Sequence, residues 1–169
     1  MRNIFLLLII IIPVALTAQQ MSGEKLGELI TQVSDTTIVN GNAYQFLYKE
    51  RPLICVYDTN ANRMRIISPI IERKEIEEDQ LLNAMVANFH SALDVKYALS
   101  DEIIWSVFIH PLKELSEHQV LDAIDQVYAA AATFGTSYSS TSMVFPGNTK
   151  KKEEPEEPPV KKLIERNRG

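Results

Sequence analysis

The chain has 169 residues, 46% of them hydrophobic and 23% charged, with a net charge of −5. That is one domain of ordinary globular composition, and its acidic balance excludes a nucleic-acid partner, because phosphate binding requires a basic surface. Its single cysteine, Cys55, excludes an internal disulfide and reads as a small buried hydrophobe in a strand.

Residues 1–18 have the three-part layout of a secretory signal peptide. Arg2 precedes an unbroken apolar run over 4–12, Pro13 follows, and Thr17-Ala18 supplies small residues for cleavage, expected after Ala18. The run falls short of the ~20 residues that span a bilayer, so no stable membrane anchor is expected after cleavage. The expected location is the periplasm, with the extracellular medium as the alternative. The mature chain then divides into a folded body at 19–146 and a tail at 147–169. The body carries nine Lys and Arg against 17 Asp and Glu, whereas the tail has a net charge of +2.

Residues 22–33 read as a helix, with Ser22 as the cap and Leu26, Leu29, Ile30 and Val33 at helical spacing. Asn40-Gly41-Asn42 is a turn. Three strands follow. Residues 43–48 alternate, with Tyr44, Phe46 and Tyr48 on one face. Lys49-Glu50-Arg51-Pro52 turns the chain into a nearly continuous apolar strand at 53–57. Residues 58–62 form a hairpin loop, and 63–68 return with Met64 and Ile66 opposite Arg63 and Arg65. Pro69 is expected to end the ladder. The links are too short for crossovers, so the three strands form an antiparallel meander.

Residues 75–94 read as the central helix. Leu81, Met85, Phe89 and Leu93 recur at steps of four, with Leu82, Val86 and Ala92 widening the stripe. A short strand at 95–99 and an apolar strand at 103–109, containing Trp105 and Phe108, precede the last helix. Ser116-Glu117-His118-Gln119 is a capping box, Leu115 can staple onto Val120, and Gly135 closes the helix. Met143-Val144-Phe145 is a sticky patch that could pack back on the body. The Lys-, Glu- and Pro-rich tail beyond it reads as disordered, because it cannot bury enough apolar surface to offset ordering entropy.

The fold class is therefore α+β: a five-stranded antiparallel sheet with three packed helices, in the order α-β-β-β-α-β-β-α. Over about residues 22–134 this order resembles the type III secretion chaperone-like fold, which is shared with YbjN-like proteins. Leu53-Ile54-Cys55-Val56-Tyr57-Asp58 falls at that fold's second strand, and Asn88-Phe89 in its central helix. The resemblance implies a non-catalytic binding module. The export signal and the charged tail depart from it, since dedicated secretion chaperones work in the cytoplasm.

No catalytic, cofactor-binding or metal-binding constellation is recognisable. His90, His110 and His118 lack a metal spacing, and no GxSxG, Walker A or GxGxxG run occurs. His90 and Asp94, at i and i+4, could form an acid–base pair with Arg63 or Arg65 beside it, which is the hydrolase alternative. An ordinary helix-surface pair is the plainer reading. A structural envelope component making contacts through its tail is a further alternative. The leading expectation is an exported protein-binding or chaperone-like module whose partner is a protein, a peptide or a second copy of the chain. The candidate partner-binding residues are Tyr44, Phe46, Tyr48, Asn60, Asn62, Arg63 and Arg65. The aromatics matter only if helices leave their sheet face uncovered. The two arginines form a basic pair that could take a partner's carboxylate or equally pair with Glu72 or Asp58.

Overall fold

The computed structural model describes residues 20–141. The expected signal peptide, the Met143-Val144-Phe145 patch and the charged tail lie outside the described residues. Within them, α1 (Gly23–Val33) is followed by β1 (Thr36–Asn40), β2 (Ala43–Tyr48), β3 (Arg51–Asp58) and β4 (Arg63–Glu72). A 3₁₀ turn (Arg73–Glu75) leads into α2 (Glu78–His90), then β5 (Lys96–Ser100), β6 (Ile103–His110) and α3 (Glu117–Ala132). No described helix is long and apolar enough to cross a membrane.

The class is α+β, with a six-stranded antiparallel sheet in the order β1-β2-β3-β4-β6-β5. The additional strand is β1, which pairs with β2 from Thr36↔Leu47 to Asn40↔Ala43. Gly41 makes that hairpin possible at φ +57°, and Lys49 and Glu50 turn the next one with φ of 51° and 65°. Two expected boundaries move. Arg51 and Pro52 belong to β3 rather than to the turn, with Pro52 opposite Leu47. Pro69 does not end β4: the strand bulges between Pro69 and Ile71 and continues to Glu72 beside β6.

α1 and α3 cover one face of the sheet. Leu26 and Ile30 from α1, Val120, Ile124 and Val127 from α3, and Leu53, Cys55, Ile66 and Ile104 from the sheet are at most 1% exposed. Each large apolar side chain so buried contributes about 1.5–3 kcal/mol. Ser22 caps α1, its Oγ accepting from Lys25 N at 3.1 Å, and Ser116 and Gln119 form the expected capping box on α3. α1 approaches the sheet closely because two glycines face it. A Cβ on Gly27 would stand 2.5 Å from Tyr44 Oη, and one on Gly23 would overlap the Tyr57 ring. The Tyr44 hydroxyl uses that proximity to donate to Gly23 O at 2.9 Å.

α2 is arranged differently. It lies beside the edge strand β5, where Asn88 Nδ2 donates to Tyr97 O at 3.1 Å and Asn88 Oδ1 accepts from Tyr97 N at 2.6 Å. Only Ala84 and Ala87 are buried within it. Its large apolar side chains point outward, with Leu82 63%, Met85 59%, Val86 51% and Phe89 87% exposed. The helical stripe read from the sequence is real, but small residues dock the helix and the bulky ones face solvent.

Candidate interaction surface

A set of residues open to a partner lies on the sheet face opposite α1 and α3. Strand register fixes them. Ile38, Gln45, Ile54, Ile67, Val107 and Lys96 stand side by side across all six strands. A parallel row holds Asn40, Ala43, Val56, Arg65 and Ile109. Ile38 and Ile109 are both 60% exposed, and Leu47 and Val56 are both 39% exposed. A shallow apolar hollow of about 280 Å³ opens between Ile38, Leu47, Pro52 and Ile54. A smaller one of about 160 Å³ lies beside Val56, Arg65 and Ile109. A contiguous apolar sheet face left in water is the usual sign of an interface.

The candidates taken from the sequence divide between the two faces. Tyr44 and Phe46 point inward, 8% and 3% exposed, under α1 and α3. This corrects their candidacy: the uncovered face is the other one, and alternation along β2 gives it Gln45 and Leu47 instead. Burial, then the neighbouring Tyr57, pushes the Tyr44 phenol up to about 12. Tyr48 is half-buried on the same inner face. Its hydroxyl donates to Asp125 Oδ1 at 2.7 Å, and Lys49 Nζ donates to the same oxygen at 2.8 Å. Burial works to raise the Asp125 carboxyl, but these hydrogen bonds outweigh it and hold the group below its ordinary value.

Asn62 is structural. Its Nδ2 donates to both Glu114 carboxylate oxygens, at 3.1 and 2.9 Å, and its Oδ1 accepts from Lys113 N at 2.8 Å. The Asn60 backbone N–H is held by Asp58 Oδ1 at 2.8 Å, which makes the loop an Asx turn. Arg63 Nη1 donates to Asn62 O at 3.0 Å. The Arg65 side chain makes no hydrogen bond or ion pair among the described residues. Arg63 and Arg65 do reach the uncovered face, where Asp58 is opposite Arg63 and Val56 and Ile109 flank Arg65.

The sequence reading missed Ile38, Leu47, Val56 and Ile109. A signal for them was present. β3 and β6 are apolar at both phases of the alternation, which means two apolar faces, and only one can be covered by α1 and α3.

The acid–base pair does not assemble. α2 ends at His90, Leu93 takes φ 47°, and Asp94 lies beyond that turn, its Oδ2 3.4 Å from Gln126 Nε2. His90 packs edge-on against Phe89, while Arg63 and Arg65 lie on the distant sheet face. A hollow of about 370 Å³ is lined by Asp94, Lys96, His110 and Asp122 together with Leu93 and Phe108. Among the described residues no group of three or more His, Cys, Asp or Glu is placed to hold a metal. The hydrolase alternative has no geometric support.

No family model matches the chain, and no curated protein does. Solved structures do. A chain of the HopA1–SchA chaperone–effector complex aligns at TM-score 0.52 and 11% identity, covering 64% of this chain and 88% of that one. A chain of the ExsC–ExsE complex aligns at TM-score 0.52 and 9% identity, covering 64% and 90%. The structure of the Yersinia pestis type III secretion chaperone SycH with a stable fragment of YscM2 aligns at TM-score 0.52 and 13% identity, covering 67% and 99%. At such identities the likeness concerns the fold: this chain has a type III secretion chaperone-like fold.

Proposed function

We propose that this chain is an exported, non-catalytic module that captures a protein or peptide segment on its uncovered sheet face. One observation carries the reading: a row of side chains, mostly apolar, runs across all six strands with no helix of the described residues over it. The solved structures of the same fold include a chaperone–effector complex and a chaperone bound to a fragment of another protein, which supports protein binding as the role. Arg65, between Val56 and Ile109, and Lys96 on the edge strand put positive charge on this face of an acidic body, so the matching segment is apolar with acidic residues beside it. With residues 1–18 acting as an export signal, the encounter takes place in the periplasm, or alternatively outside the cell.

Site-specific photo-crosslinking in the producing cell tests this. A crosslinker at Ile38, Val56 or Ile109 is expected to give one common adduct in the exported fraction, absent when the crosslinker is at Glu28 on α1. Ile109→Glu should remove the adduct formed from Val56. Equal labelling from Glu28, or no adduct from any sheet position, would refute the reading. A second copy as the partner would appear as an adduct of twice the chain mass.

A further inference from the structure

Among the described residues, α2 is attached to the body more thinly than the other two helices. α1 buries five residues and α3 seven, among them Leu26, Ile30, Val120, Ile124 and Val127. α2 buries two, and both are alanines. Its bulky side chains Leu82, Met85, Val86 and Phe89 are all more than half exposed, so lifting the helix from the sheet uncovers little apolar surface. An element with so few buried apolar contacts opens locally, at a free energy below that of global unfolding.

The chain that follows α3 holds α2 down. Residues 133–141 fold back as a strap joining α3, β5 and the C-terminal end of α2. Thr133 Oγ1 shapes the strap, donating to Ser139 O at 2.8 Å and accepting from Ser139 N at 2.9 Å. Ser140 N donates to Ser91 O at 3.2 Å, and Ser91 Oγ donates to Tyr138 O at 2.7 Å. Ser91 is the residue that caps the C-terminus of α2. Tyr138 lies at the centre of the strap and is buried. Its ring meets Phe134 at 5.2 Å and Tyr97 of β5 at 6.0 Å, both edge-on. Asn83 of α2 hydrogen-bonds with its phenol, and Asp79 of α2 acts on it by charge. The backbone of Tyr138 is left-handed, at φ 49°, which is costly for a bulky residue. Bonds on both sides fix it there: its N–H donates to Thr133 O at 3.0 Å and its C=O accepts from Ser91.

We propose that α2 is a flap that opens separately from the rest of the fold, that Tyr138 is its latch, and that opening frees the edge of β5. Ile76 before the helix and Ala92 and Val95 after it are buried, and they bound the moving part. Within it, Asn88 is the residue that covers the edge: it takes the Tyr97 N–H at 2.6 Å and the Tyr97 C=O at 3.1 Å. With α2 released, both groups face solvent and β5 becomes an unpaired strand. The latch therefore decides whether this margin of the sheet is shut. The inference does not depend on the sheet face being a partner site.

Residue-resolved amide hydrogen exchange of the full chain, followed by NMR, tests this. Two neighbours on β5 separate the flap from the sheet. The Tyr97 N–H faces Asn88, whereas alternation turns the Ala98 N–H toward β6. Tyr97 should exchange together with the α2 amides of 82–90, at least about tenfold faster than Ala98 and the α3 amides of 121–131. Tyr138→Leu keeps apolar bulk but loses the ring contacts and the phenol. It should speed exchange of Tyr97 and α2 several-fold and leave α1 and α3 unchanged. Ser91→Ala removes one strap bond and should act in the same direction; it carries the test should Tyr138→Leu fail to fold. Exchange of Tyr97 and α2 as slow as that of α3 would overturn the flap. Variants that accelerate all three helices equally, or none of them, would overturn the latch.

Discussion

Gly27→Ala tests a close approach of α1 to the sheet. Alanine is the better helix former by about 1 kcal/mol, so an exposed site would gain stability. Gly27 is buried against the sheet, and the new Cβ would lie 2.5 Å from Tyr44 Oη and 2.6 Å from Tyr44 Cζ. Relief requires either the ring or the helix to shift. Overpacking of this kind costs about 1–3 kcal/mol. A shift of Tyr44 also endangers its bond to Gly23 O, and a buried hydroxyl left unpaired costs a further ~1–3 kcal/mol. After subtracting the helix gain, the variant should lose about 1–5 kcal/mol. Urea unfolding followed by circular dichroism and by Trp105 fluorescence measures this, with the slope unchanged if only packing is affected. Tyr44→Phe should be costly alone and cheaper in the Gly27→Ala background, because the colliding oxygen is gone. A stabilised Gly27→Ala protein, or strictly additive double-variant energies, would refute the proximity argument.

Two predictions concern ionisation. Burial pushes the Cys55 thiol up to about 12, so at neutral pH it should resist alkylating reagents until the protein unfolds, and its labelling rate in urea should track global opening. Rapid native-state labelling would place Cys55 at the surface. Burial likewise pushes the Tyr97 phenol up to about 12. Both groups stay protonated in the folded chain, while the unfolded chain releases its thiol proton near pH 8.5 and its phenol proton near pH 10. Stability should therefore be unaffected by these groups below about pH 8.5. Above it, stability should fall toward pH 12 by about 1.4 kcal/mol per pH unit for each group titrating. A urea midpoint that is flat from pH 8 to 11 would contradict this.

Local rules carried the sequence reading where local chemistry decides the structure. Ser22 and Ser116 cap their helices, and Asp58 builds its Asx turn, because these bonds form within a few residues. The reading failed where a distant neighbour decides. Thr36 to Asn40 contain no apolar alternation, yet their β-branched residues pair once β2 offers an edge. Pro69 breaks a ladder locally, but β6 holds the strand on both sides and a bulge absorbs the missing donor. The period of α2 was legible, though not its orientation, since Asn88 ties it to an edge strand that the sequence does not display, with Ala84 and Ala87 as its buried residues. The candidate site divided for the same reason. Alternation placed Arg63 and Arg65 opposite the core, but which face of β2 is open depends on where α1 and α3 lie.

The two margins of the sheet are unlike. Among the described residues, Asn88 occupies the backbone of Tyr97 on β5, whereas the outward backbone groups of β1 meet no partner and its five residues carry no charged side chain. A strand can therefore be added on one side only. Filament growth needs two complementary ends on every copy, and the described residues leave one sheet edge unblocked. Copies that meet through β1 would consume each other's free margin in a closed two-fold pair. An aggregation-prone edge is thus limited by geometry to a single event.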